Sequence, residues 1–122
     1  MDPVKVLQRA YQDELLDARR AEGAAQGVPY PHVRALLLEV ARRERAHAEA
    51  LAEALRRRGA PLPPTPKPEE GGWETLLRLL SEEGLDRAYY LESTFPDPEL
   101  EALFTRLGQE ERLNQEAVRK AV

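Results

Sequence analysis

Two stretches of this chain repeat one another. In alternating steps of four and three, residues 33–54 give Val33, Leu37, Val40, Glu44, His47, Leu51 and Ala54, and residues 100–121 give Leu100, Phe104, Leu107, Glu111, Asn114, Val118 and Ala121. The series match position for position at an offset of 67, apolar at both ends and polar only at two central places. Such steps trace one face of an α-helix, so each series is a stripe turned toward a core. A second pair follows the same plan at an offset of 69: Leu7, Tyr11, Glu14, Ala18, Ala21 and Ala25 against Leu76, Leu80, Glu83, Arg87, Tyr90 and Thr94. The chain therefore reads as two helical hairpins of one design, each carrying a Glu and then a Glu-x-x-(His or Asn). A repeat of that kind constrains it to an all-α four-helix bundle.

The helix ends are marked by local chemistry. Asp2-Pro3 supplies an N-cap and a proline in the first turn, and helix 1 runs to about Gln26. After Gly27-Val28-Pro29-Tyr30, helix 2 occupies 31–58 and stops at Gly59. Helix 3 is expected over 73–94, after Gly71-Gly72, and helix 4 over 98–121, capped by Asp97. Ala, Leu, Glu and Arg dominate and Ile is absent, which favours helix and disfavours strand. The connection 59–72 carries prolines at 61, 63, 64, 66 and 68. In polyproline II form its length would be about 43 Å, the span of a 28-residue helix, so it suits a crossover that returns along the bundle. The whole chain of 122 residues fits one domain.

Several function classes are excluded. No cysteine means no disulfide, no thiolate metal site and no thiol nucleophile. Net charge is −4, and the one tight basic cluster, Arg56-Arg57-Arg58, closes helix 2, where cations suit the helix dipole; nucleic-acid binding is not expected. No glycine-rich phosphate loop occurs, and with His32 at a helix start and His47 on the central stripe no spare base accompanies a nucleophile. No apolar run approaches a membrane span, and Met1-Asp2-Pro3-Val4 lacks the features of a signal peptide, so a cytoplasmic location is expected.

The central Glu residues need a reason to be inside. A buried carboxylate is costly, and four at one level would repel and largely protonate. Divalent cations remove that cost, because they accept carboxylate oxygen and imidazole nitrogen, and Glu-x-x-His puts both donors on one helix face. Glu14, Glu44, His47, Glu83 and Glu111 are thus the candidate ligands. Asp86, on the adjoining edge of helix 3, is positioned to replace or join Glu83. Gly84, inside helix 3, is compatible with a π-bulge or a close backbone approach.

This arrangement resembles the ferritin-like superfamily of di-iron carboxylate proteins, and most closely its rubrerythrin-like members, over essentially the whole chain. The resemblance implies a ferritin-like bundle in which Glu14 and Glu83 are single-Glu ligands and Glu44-x-x-His47 is a full pair. Glu111 is then the carboxylate of a second pair, and Tyr90, the tyrosine following the helix 3 ligand, a candidate additional ligand. Asn114 stands where a second histidine belongs, with its amide oxygen as a poorer additional ligand. Arg87 is placed to pair with Glu83 or Glu111 and stand in for a cation. With no cysteine in these residues, the cysteine-rich electron-transfer module of many rubrerythrins is not expected here.

The resemblance implies two iron ions, with manganese or zinc as substitutes, for dioxygen or peroxide chemistry or for iron oxidation. An external electron donor and a homodimer are the expected partners. The competing reading is a degenerate metal-free or single-metal bundle that acts through protein association.

Overall fold

The computed structural model describes residues 2–65, 67, 90 and 97–121, and every regular element among them is helical. Helix α1 spans Pro3–Gln26, α2 spans Pro31–Arg57, and α3, the fourth helix expected from the sequence, spans Pro98–Ala121. The helix expected over 73–94, with Glu83, Asp86, Arg87 and Gly84, lies outside the described residues, apart from Tyr90, which is helical. No helix among the described residues is long and apolar enough to cross a membrane.

Each end has an identifiable cause. Asp2 Oδ1 accepts the Val4 N–H at 3.0 Å, one of the donors left over at a helix start. Asp97 Oδ1 does the same for Glu99 at 2.9 Å. Helix α2 stops one residue before the expected Arg58. There Gly59, at φ 64, turns the chain so that its N–H reaches Arg56 O and the Ala60 N–H reaches Leu55 O, both at 3.0 Å. That pair of bonds is a Schellman closure, and the left-handed backbone at Gly59 suits a residue without a Cβ. Arg58 adds a third closure through Nη1 to Ala54 O at 3.1 Å. Its Nη2 also reaches Asp97 Oδ2 at 2.6 Å, tying the end of α2 to the start of α3. Arg57 pairs with Glu99 at the same corner. The basic cluster thus closes α2 and clasps α3.

Helix α2 packs against both α1 and α3 and runs antiparallel to each. Every stripe residue from Val33 to Ala54 is buried, as is every one from Leu100 to Val118. On α1 the buried face is broader than the stripe: Ala10, Asp17, Arg20 and Ala24 are buried, whereas Tyr11 is half-buried. The core divides into two apolar clusters. One joins Ala21, Ala25, Val33, Leu37, Val40 and Val118; the other joins Leu7, Leu51, Leu55, Tyr90, Phe104 and Leu107. Burying each leucine in them contributes about 1.5–3 kcal/mol. In the second, Tyr90 meets Phe104 edge to face, with ring centroids 5.1 Å apart.

The crossover has a direction. Gln8 Nε2 donates to Pro61 O at 3.0 Å and Gln12 Nε2 to Pro64 O at 2.9 Å. The segment after α2 therefore climbs beside α1 in the direction of α1, as a returning connection must.

Candidate metal centre

Between the two apolar clusters lies a polar layer. Glu14, Glu44, His47, Glu111 and Asn114 are each at most 2% exposed. One donor atom from each of Glu14, Glu44, His47 and Glu111 lies within 4.8 Å of the other three. These were four of the five candidate ligands; the fifth, Glu83, lies outside the described residues, as does Asp86.

Antiparallel packing of α2 on α3 brings the halves together crosswise. His47 Nδ1 faces inward, 2.9 Å from Glu111 Oε1 and 3.1 Å from Glu14 Oε2. Its other nitrogen, Nε2, lies 3.1 Å from Glu110 Oε2 at the edge of the layer. A ring nitrogen that carries the proton donates to its carboxylate, so the tautomer decides which of these contacts is made by an N–H. Glu14 is further held by the Tyr90 hydroxyl, which donates to Oε1 at 2.7 Å. Tyr90 therefore touches a candidate ligand directly.

Asn114 behaves differently from the histidine it replaces in the pattern. Arg43 Nη1 donates to Asn114 Oδ1 at 2.6 Å, and Asn114 Nδ2 donates to Glu44 Oε1, also at 2.6 Å. A guanidinium has only donors, so the amide oxygen must be the atom facing Arg43. Asn114 thus offers the layer an N–H, and the oxygen expected as an extra ligand is engaged from outside. Arg43 is mostly buried and is steadied by Glu39 at 3.0 Å.

The donor set fits a metal ion. Three carboxylates and one imidazole are the ligands that zinc, iron and manganese accept. Ligand atoms about 2.0–2.2 Å from one ion are at most about 4.4 Å apart, so donors spread over up to 4.8 Å must draw together to close around an ion. An ion held at Nδ1 would leave the ring proton on Nε2, facing Glu110. Ligating histidines are commonly oriented by such a carboxylate.

Glu110 and Arg43 were not among the candidates. Both lie one residue before a stripe glutamate, off the core face, and both enter the layer by side-chain reach. On α1, Asp17 and Arg20 form a buried pair at 3.4 Å, one turn beyond Glu14. Its signal was the Glu14-x-x-Asp17 spacing. His32 is exposed, its ring centroid 6.2 Å from that of Tyr30 and remote from the layer.

In comparisons with known proteins, the sequence model described as Rubrerythrin matches residues 5–122. No curated protein and no solved structure matches.

Proposed function

This chain belongs to the rubrerythrin family, and we propose that Glu14, Glu44, His47 and Glu111 are the ligands of an iron centre, able to accommodate two ions. The centre would serve chemistry with dioxygen or peroxide, or the oxidation of ferrous ion. The observation that carries this reading is the convergence of four buried donor atoms within 4.8 Å from three separate helices. Bound iron would supply the change of oxidation state. The protein's own residues supply the rest. His47 and the three carboxylates give a nitrogen and oxygen donor set of fixed composition. Glu110 orients the imidazole, and the Tyr90 hydroxyl holds Glu14 and is a proton source at Oε1. The two apolar clusters on either side keep bulk water from the layer. These 122 residues hold no cysteine, so electrons would reach the centre from a donor outside them.

One observation favours a metal-free bundle instead: both nitrogens of His47 already rest on carboxylates. Metal counting separates the readings. Untagged protein is loaded anaerobically with ferrous iron, and bound iron per chain is measured in the parent, Glu44→Ala and His47→Ala. Iron well above background in the parent, lost in His47→Ala and reduced in Glu44→Ala, with all three helical by circular dichroism, is expected. No iron in a folded parent would end the metal reading.

A further inference from the structure

The two halves of the polar layer are related by the repeat. Adding 67 to a position on α2 gives its equivalent on α3, so the contact of Glu44 with Asn114 is the counterpart of that of Glu111 with His47. The supporting contacts correspond too. Arg43 on Asn114 is the counterpart of Glu110 on His47, at 2.6 and 3.1 Å. One backbone arrangement thus holds two different pairs: an imidazole backed by an acid, and an amide backed by a base.

From this pairing we infer that the centre has one tight metal position, built on His47, and a second position that Arg43 and Asn114 together keep weak. The inference rests on the metal reading above. An ion at the second position needs a lone pair at residue 114. Asn114 turns its NH2 toward Glu44 instead, and a flip would set that NH2 against the Arg43 guanidinium, donor against donor. Arg43 therefore locks the amide, and the N–H on Glu44 Oε1 takes part of the charge a cation would use. The first ion is held by His47 with Glu14, Glu111 and Glu44. The second binds more than about 100-fold more weakly, beyond the 10–100-fold effect typical of a lost outer-shell partner.

Arg43 also makes the repair of the site conditional. In Asn114→His, the guanidinium would donate to the outer ring nitrogen and force the proton onto the inner one, the wrong tautomer for a ligand. A histidine at 114 therefore works only with an acceptor behind it, as His47 has in Glu110. The restoring change is Arg43→Glu with Asn114→His, which copies the α3-to-α2 pairing onto the other half.

Anaerobic titration with cobalt(II), followed by calorimetry and by its visible absorption, tests this on the whole chain. The parent is expected to take one ion tightly, Asn114→His again one, and the double variant two within about tenfold of each other. Two ions of equal affinity in the parent would overturn the asymmetry while leaving the metal reading intact. Two tight ions in Asn114→His alone would overturn the role of Arg43. No cobalt bound to any folded form would overturn both readings. If the double variant fails to fold, Arg43→Leu substitutes for it: freed of the lock, Asn114 can turn its oxygen inward, and the second ion should bind at least severalfold more tightly than in the parent. An unchanged second affinity would sink the proposal.

Discussion

The Glu44–Asn114 and Glu111–His47 contacts occupy equivalent places in one repeated design, yet they do different chemistry. At one, a half-exposed acid behind the ring sets up an inward-facing nitrogen that an ion can use. At the other, a mostly buried arginine behind the amide fills the same role with an N–H and a nearby positive charge. The ligand residue alone does not decide which it will be. The residue behind it, one position before the glutamate of the facing helix, selects the atom that faces the core. A layer of this kind is read in pairs, and a change from His to Asn is intelligible beside a change from Glu to Arg.

The comparison can be strained hardest in chelator-treated, metal-free protein. His47→Ala removes a buried ring that meets three carboxylates, two of them fully buried, and, at about 1–3 kcal/mol for each buried group left without its partner, should cost about 2–6 kcal/mol. Asn114→Ala removes only one amide between Arg43 and Glu44 and should cost about 1–3 kcal/mol. Urea melts followed by far-ultraviolet circular dichroism measure both; equal losses would mean that the two halves are energetically alike. A smaller effect isolates the backing residue. Glu110→Gln keeps an acceptor but loses the charge, and Glu110 is 40% exposed, so the tight ion should bind about tenfold more weakly by calorimetry. The second ion should be unaffected.

The smallest effect marks the outer limit of the layer. Arg45 bridges to Glu22 at 2.6 Å on the outside of α1 and α2, and its pKa is raised above the ordinary arginine value, chiefly by the Glu22 hydrogen bond. Both side chains are well exposed, so Arg45→Ala should cost no more than about 1 kcal/mol in the same melts and leave metal affinity unchanged. A larger loss would show that the outer surface, and not the polar layer, holds α1 on α2.

What the sequence disclosed and what it withheld follow from geometry. Periodicity placed Glu44, His47, Glu111 and Asn114 on stripes that the fold buries completely, because apolar neighbours four and three residues away left those faces nowhere else to go. It also placed Glu14 correctly, although α1 buries a wider face than one stripe and so takes in Asp17 and Arg20. Periodicity could not show which way Asn114 points. That depends on Arg43, which is 71 residues away and meets it only through the crosswise register of α2 and α3. The contact of Glu110 with His47 depends on the same register. The local likeness of 43–50 to 110–117 was visible in the sequence, but it aligned an arginine with a glutamate, and only the packed helices show those two residues doing corresponding work.

The Arg58 clasp bears on the centre from a distance. It joins α2 to α3 at one end, and His47 lies eleven residues back along α2, about 16 Å away at 1.5 Å per residue. The helix between them acts as a lever arm. A tilt of about 1° at the clasp moves an atom at His47 by about 0.3 Å, more than the roughly 0.2 Å tolerance of a metal–ligand distance. A part-buried ion pair at a corner that touches none of the donor group thus bears on how its atoms line up.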